Sequence, residues 1–271
     1  MAPFLTIVTR TCKRPVMLSR NIESVLAQTD KDVEQVFVVD GEQKGVPWAN
    51  RSLAEAANRV QGEYVYILDD DCQLTERKFV QRLRLQAAKY NEDVIMTRTL
   101  RLQLSPCTLP TVWQKPGELR LGTTNALCYV VKRERWTAHI AAFGLPAAGD
   151  WHFLSALRDA GCTFGWMDLV VAKTQQLGRG IHFEDCPNDW FKQVARKYHV
   201  ADLGKGDWRL RLFLQQQKPK PKPTPKRQPP TVPVATEPPP ESELQTSAPP
   251  IVPQPQPRQP SPHVLLTRRR K

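Results

Sequence analysis

Short strand-forming runs and amphipathic stretches alternate along most of the chain. Phe4 to Thr9 and Val36 to Val39 are apolar-rich runs of strand length. Between them, from Pro15 to Gln28, apolar side chains recur at helical spacing, and a proline is well suited to the first turn of a helix. Strand, helix and strand in this order predict a βαβ unit with a right-handed crossover.

The alternation continues beyond this unit and predicts one α/β domain with a mostly parallel central sheet flanked by helices. The further helices are predicted over Trp48 to Val60, Leu74 to Tyr90, Lys132 to Ala142, Pro187 to Tyr198 and Asp207 to Gln217, and the further strands over Tyr64 to Leu68, Asp93 to Leu100, Asn125 to Val131 and Phe164 to Ala172. Ser105 to Gly122 is rich in proline and glycine, which indicates an irregular segment and a candidate substrate loop.

Polar residues follow the first three predicted strands, at Thr11, Asp40 and Asp69. In open parallel α/β sheets, ligands bind in the crevice outside the carboxyl ends of the strands. We therefore expect these three loops to line one crevice.

Three consecutive carboxylates end the third of these strands. In extended geometry Asp69 and Asp71 leave the backbone on the same side, whereas Asp70 points away. Two converging carboxylates are hard oxygen ligands that suit Mg²⁺ or Mn²⁺ rather than zinc. The alternative is a solvated acidic turn that caps the next helix.

Two later stretches also carry candidate chemistry. Asp150, after the small residues Ala147 to Gly149, opens a predicted helix, where it could be a catalyst or an ordinary helix cap. The loop from Gly178 to His182 has Arg179 at its centre, and such a loop could clamp a phosphate or be a surface turn.

Composition divides the chain at Gln217. Of the 25 prolines, 17 lie from Lys218 onward, and ten basic against three acidic residues give this segment +7 of the net charge of +12. We expect residues 1–217 to form the domain and residues 218–271 to be a disordered, proline-rich basic tail, because the tail has no apolar period with which to bury surface. The tail, which ends in Arg268 to Lys271, could meet an anionic membrane, RNA or an acidic protein, or act only as a solubilising tail. Since most of the charge belongs to the tail, we expect no specific nucleic-acid binding by the domain.

Cysteine spacing and hydropathy bear on the compartment. The six cysteines include no Cys-x-x-Cys pair, and no apolar run is long enough to cross a bilayer. Phe4 to Val8 has the length of a strand and lacks the layout of a signal peptide. These features favour free thiols and a cytoplasmic protein, with the basic tail allowing peripheral contact with a membrane.

Several motifs together resemble family 2 glycosyltransferases of the GT-A fold. They occur in that family's order and approximate spacing over roughly residues 4–183, and they are Phe4 to Pro15 (FLTIVTRTCKRP), Ser24 to Thr29 (SVLAQT), Val36 to Asp40, Tyr64 to Asp71, and Gly149-Asp150-Trp151. In this chain Cys12 stands where an aromatic residue often follows the threonine, and Gly149 where an acidic residue commonly precedes the catalytic aspartate.

The resemblance implies a role for each matching residue. Thr11 and Asp40 belong to the pocket for the nucleotide base and ribose. Asp69 and Asp71 resemble the Asp-x-Asp motif that holds Mn²⁺ or Mg²⁺ at the donor diphosphate, with Asp71 as the direct ligand. Asp150 resembles the general base of inverting members. Apart from the resemblance, the loop of Arg179 makes this residue a further candidate for donor binding.

These observations lead to one hypothesis and two alternatives. The hypothesis is a metal-dependent, inverting glycosyltransferase that moves a sugar from a nucleotide-diphosphate donor to a hydroxyl acceptor on a glycan, a lipid-linked sugar or a protein. A sugar-1-phosphate nucleotidyltransferase would carry a glycine-rich basic loop after its first strand, but Thr9 to Pro15 contains no glycine. The other alternative is a non-catalytic binding module on a degenerate transferase fold, which the intact Asp69, Asp71 and Asp150 argue against.

Overall fold

The computed structural model describes residues 2–102, 106–111, 115–145, 147–175 and 183–212. Arg179 and the predicted tail, residues 218–271, lie outside these ranges. Within them the helices are α1 (Pro15–Leu26), α2 (Gly45–Glu55), α3 (Phe79–Tyr90), α4 (Arg133–His139), α5 (Gly149–Asp159) and α6 (Trp190–Tyr198). The strands are β1 (Leu5–Thr11), β2 (Val33–Val39), β3 (Tyr64–Ile67), β4 (Cys72–Leu74), β5 (Val94–Arg101), β6 (Cys107–Leu109), β7 (Tyr129–Lys132), β8 (Phe164–Thr174), β9 (Ala201–Asp202) and β10 (Trp208–Arg211).

The ten strands of the described ranges belong to one sheet. Its order is β4-β8-β5-β7-β3-β1-β2-β10-β9, and β6 pairs with β5 outside this path. β1 pairs in parallel with β2 and with β3, and β5 pairs in parallel with β8. Between these two groups, β7 is antiparallel to both β3 and β5, so β2, β1, β3, β5 and β8 all run in one direction. The predicted fold class, an α/β domain with a mostly parallel central sheet, is confirmed.

Alternation along the central strands places a hydrophobic cluster on each face of the sheet. Ile7 and Tyr66 belong to one cluster, together with apolar side chains of α1, α3 and α6. Val8 and Ile67 belong to the other, together with side chains of α2, α4 and α5. Burial on both faces explains why these strands are nearly continuous hydrophobic runs rather than alternating ones.

One predicted helix begins too early, and a strand occupies the start of another. The helix predicted from Leu74 begins at Phe79, because Cys72–Leu74 pairs antiparallel with β8. In the segment predicted as a helix from Asp207, Trp208–Arg211 pairs antiparallel with β2. In both cases hydrogen bonding to a distant strand overrides local periodicity. No helix within the described ranges is both long and apolar enough to cross a bilayer.

Candidate active site

Five of the six predicted site residues line one pocket of about 540 Å³ at the carboxyl ends of β1, β2 and β3; they are Thr11, Asp40, Asp69, Asp71 and Asp150. The first four follow from the parallel arrangement of those strands, whereas Asp150 reaches the pocket from the first turn of α5. The sixth predicted residue, Arg179, lies outside the described residues.

The three adjacent aspartates lie in a tight turn. The backbone N–H of Cys72 donates to the carbonyl oxygen of Asp69 at 2.9 Å, and β4 begins directly after it. From behind the turn, Asn21 donates its side-chain amide to the carbonyl oxygens of Asp69 and Cys72, at 2.9 and 3.0 Å. Asp69 and Asp71 line the pocket while Asp70 turns away, so the expected separation holds although the backbone is not extended here.

Asp70 is fully buried because it has a cationic partner. The guanidinium of Arg14 lies 2.6 Å from its Oδ1, and its Oδ2 accepts hydrogen bonds from the Thr11 hydroxyl at 2.8 Å and the Cys12 N–H at 3.2 Å. Burial raises the pKa of Asp70 to about 7, although Arg14 acts in the opposite direction. Thr11 lines the pocket, but the hydrogen of its hydroxyl is therefore already donated to Asp70.

Asp69 is held by a second arginine, Arg10. Nε and one terminal nitrogen of Arg10 donate to the two oxygens of Asp69, both at 2.7 Å. The other terminal nitrogen donates to Oδ1 of Asn50 at 2.8 Å, and the guanidinium lies 5.3 Å from the centre of the Phe143 ring. Asp69 thus lines the pocket as part of an ionic network with Arg10.

Sequence reasoning missed both arginines, although a signal was present. Three adjacent carboxylates at the end of a buried strand require nearby cations. The loops after β1 and β3 were expected to line one crevice, and Arg10 and Arg14 lie at the end of β1. Asn50 carried no such signal, because it reaches Arg10 only through the packing of α2.

Of the two candidate metal ligands, Asp71 has the weaker cationic contact. Its Oδ1 accepts from the thiol of Cys72 at 3.2 Å, and its Oδ2 lies 3.5 Å from Arg14. Burial and the neighbouring charge of Asp69 raise the pKa of Asp71. A cation in the pocket would relieve both effects.

The aspartates fit a divalent ion with few protein ligands. Within the described ranges no group of three or more His, Cys, Asp or Glu side chains is arranged to hold a metal. Mg²⁺ is often bound by one or two carboxylates together with substrate phosphates, and Asp71 and Asp69 can supply such oxygens. The contacts of Asp71 are the longer ones, 3.2 Å to the Cys72 thiol and 3.5 Å to Arg14, whereas both oxygens of Asp69 accept from Arg10 at 2.7 Å.

Asp40 stabilises the turn that leads into α2. Its carboxylate accepts the backbone N–H groups of Glu42 at 3.0 Å and Lys44 at 2.7 Å. The ammonium of Lys44 lies 5.5 Å from the ring centre of Trp48, which also lines the pocket. This side of the pocket therefore combines a carboxylate with an aromatic surface.

Asp150 is not the N-cap of its helix. Ala148 occupies that position with φ +50°, and the Oδ1 of Asp150 accepts the N–H of Trp151 at 2.9 Å. Burial raises the pKa of Asp150, while the charge of Arg10 opposes this shift. A half-buried carboxylate that faces a pocket and is biased toward protonation can accept a proton during a reaction.

Gly149 is required by close packing. A Cβ at this position would clash with the carbonyl oxygen of Phe143 and lie 2.9 Å from Cδ1 of the Phe143 ring. The side-chain amide of Asn50 would lie only 3.0 Å away. An acidic side chain therefore has no room before Asp150, because the segment that holds Arg10 occupies the space.

Comparison with known proteins supports the fold. No family model and no curated protein sequence matches the chain. Among solved structures, TarS of S. aureus is similar at 12% identity with a TM-score of 0.52, over 74% of this chain and 40% of that chain. A TarS structure of residues 1–349 gives 13% identity and a TM-score of 0.52, over 74% of this chain and 67% of that one. The complex of the same fragment with UDP gives 13% and 0.50 over the same shares.

Proposed function

We propose that this chain is a metal-dependent, inverting glycosyltransferase that moves a sugar from a nucleotide-diphosphate donor to a hydroxyl acceptor. The observation that carries the proposal is the convergence of Asp69, Asp71 and Asp150 on one pocket, from two parts of the chain about 80 residues apart. The fold likeness to TarS, whose residues 1–349 were solved with UDP, adds support for a nucleotide as the first ligand to test.

The donor would lie along the strand ends. Thr11 and Asp40 would border the base and ribose, beside the aromatic surface of Trp48. A Mn²⁺ or Mg²⁺ ion held by Asp71 and Asp69 would offset the negative charge that develops on the departing diphosphate. Arg179 is proposed as a further donor contact.

Asp150 would act on the acceptor. A sugar or protein hydroxyl is a weak nucleophile, so a carboxylate that removes its proton lowers the barrier to attack. The hydroxyl oxygen forms a bond to the anomeric carbon as the bond from that carbon to the diphosphate breaks. The proton passes to Asp150, and the electron pair leaves with the diphosphate. A carboxylate with a raised pKa holds this proton more firmly than an exposed one.

A thermal-shift screen of the full chain tests donor binding. UDP-, GDP-, CMP- and dTDP-sugars are compared with and without Mn²⁺. A donor at ~100 times its dissociation constant is expected to stabilise the fold by roughly 2.7 kcal/mol, which gives a measurable rise in melting temperature. No shift with any donor would refute the proposal.

The variant Asp71→Asn provides the control for the metal. Removing one charge beside the ion site should abolish most of the Mn²⁺-dependent part of the shift, since a unit charge at ~4 Å from another contributes about 4 kcal/mol at an effective dielectric of ~20. An unchanged Mn²⁺ response in Asp71→Asn would remove the metal assignment and leave donor binding intact. A nucleotidyltransferase is distinguished by its product, because it would release pyrophosphate from a nucleoside triphosphate and a sugar phosphate.

A further inference from the structure

Arg10 covers the carboxylate that a metal ion would use. Its guanidinium donates to both oxygens of Asp69 at 2.7 Å, while its remaining nitrogen is anchored to Asn50. A fork of two parallel hydrogen bonds is the strongest arrangement between an arginine and a carboxylate. Asp69 therefore already has a cation bound across both of its oxygens.

We propose that Arg10 is a resident counter-ion that competes with the divalent ion for Asp69, so that metal binding through Asp69 requires Arg10 to release it. The inference rests on the proposed function, because it concerns the same metal site. In the absence of metal, Arg10 would keep the Asp69 carboxylate paired with a cation.

Electrostatics favour competition over sharing. A guanidinium and a divalent ion at the same carboxylate repel each other, and each gains from the full charge of Asp69. An arginine guanidinium is not deprotonated in proteins, so Arg10 remains charged throughout. Arg10 therefore cannot release Asp69 by losing its proton.

The released guanidinium would stay in the pocket. Asn50 and the Phe143 ring contact Arg10 independently of Asp69 and would continue to hold it. A guanidinium fork binds phosphate as well as it binds carboxylate, so the donor diphosphate offers Arg10 a replacement for Asp69. Metal binding, which releases Arg10 from Asp69, would then favour donor binding. Contact of Arg10 with the donor diphosphate would in turn favour metal binding at Asp69.

Arg14 differs from Arg10 in this respect. It pairs with Asp70, which is fully buried and does not line the pocket. The Arg14 side chain is 9% exposed, against 18% for Arg10. Arg14 is anchored on the buried Asp70 at 2.6 Å and contacts Asp71 more weakly, at 3.5 Å, so the exchange is assigned to Arg10.

Calorimetry of Mn²⁺ binding to the full chain without nucleotide tests the inference. Arg10→Gln frees Asp69 and is expected to tighten Mn²⁺ binding by about 5- to 150-fold, the usual range for coupled sites. The matched control is Arg84→Gln. Like Arg10, Arg84 forms ion pairs and lies near an aromatic ring. Its partners are Asp30 and Asp32, the Phe4 ring centre is 4.2 Å away, and Arg84 does not line the pocket. Its loss should leave Mn²⁺ affinity unchanged.

A second background separates competition from a general change in charge. In Asp69→Asn there is no carboxylate to compete for, so adding Arg10→Gln should produce little further gain. An equal gain with and without Asp69 would overturn the inference, as would no gain in Arg10→Gln. Either result leaves the proposed function standing if donor sugars still shift the melting temperature.

Arg10→Lys decides the matter if Arg10→Gln does not fold. Lysine keeps the charge and a long apolar stem but has no planar fork with which to hold both oxygens of Asp69. Mn²⁺ should bind it more tightly than it binds the wild type. Equal or weaker binding would overturn the inference, and so would the absence of Mn²⁺ binding from every variant that folds.

Discussion

Asp150 is the residue whose substitution best separates catalysis from structure. Asp150→Asn keeps an oxygen that can accept the Trp151 N–H, so the start of α5 and donor binding should survive. Without a group that accepts the acceptor's proton, sugar transfer should fall by roughly 10²–10⁴-fold. The measurement is turnover with a hydroxyl acceptor, alongside the donor-induced thermal shift.

Asp159→Asn is the matched control for this substitution. Asp159 ends the same helix, its side chain is 67% exposed, and within the described ranges its ion pair is with the adjacent Arg158. Its substitution should leave turnover unchanged. Near-wild-type turnover in Asp150→Asn would instead end the case for Asp150 as the base and direct the search to His152 or to His182, which lies outside the described residues.

The carboxylates of the pocket were more predictable than their partners. Asp69 and Asp71 stand out because three adjacent charges follow a buried strand, a conflict that local sequence makes visible. Their cations lie 55 to 60 residues earlier in the chain, and which arginine meets which aspartate depends on how β1 and the turn after β3 are aligned. The prediction therefore identified the acidic residues and missed the ionic network that positions them.

At the scale of elements, β10 shows how a distant pairing overrides a local pattern. Trp208–Arg211 pairs antiparallel with β2, and Arg209 lies opposite Val36. The guanidinium of Arg209 lies 3.1 Å from Oε2 of Glu34, and both side chains are almost completely buried. A charged residue buried in a strand has no signature in local periodicity, because its partner belongs to another strand.

This buried pair predicts the cost of removing Arg209. Glu34 also accepts the hydroxyl of Thr6 and the N–H of Gln61, so it is fixed in place and cannot reach solvent. Arg209→Ala should therefore destabilise the fold by about 3–5 kcal/mol, since Glu34 loses its buried partner and keeps the longer contact to Arg211, at 3.5 Å. Urea unfolding followed by circular dichroism measures this loss.

Arg98→Ala is the comparison for a surface pair. Arg98 and Asp168 meet at 3.0 Å with side chains that are 28% and 65% exposed. The expected cost is only about 0–1 kcal/mol. If Arg209→Ala cost no more than Arg98→Ala, the Glu34 pair would not be what attaches β10 to the sheet.

At the scale of the whole molecule, the pocket is assembled from two parts of the chain. The β1–β3 region supplies Thr11, Asp40, Asp69 and Asp71, and the topology of parallel strands makes their meeting predictable. Asp150 arrives from α5, which packs on the same face of the sheet as α2 and α4, and the Asp150 carbonyl accepts the hydroxyl of Tyr129 in β7. No rule of strand ends anticipates that placement. The antiparallel insertion of β7, like the pairings of β4 and β10, is a feature of the fold that the sequence pattern left undetermined.

The predicted boundary at Gln217 leads to a test on the whole chain. A variant that ends at Gln217 should keep the melting temperature and donor affinity of the full chain, because the deleted segment has no apolar period with which to pack. A second variant that ends at Gly206 also deletes β10, and with it the partner of Glu34, so it should lose stability sharply. Calorimetric melting and titration with the donor sugar distinguish the two variants. A large loss of stability on ending at Gln217 would place the boundary later in the chain. Unchanged melting and donor affinity combined with reduced use of the acceptor would instead show that the basic tail contributes to reaching an anionic acceptor or membrane.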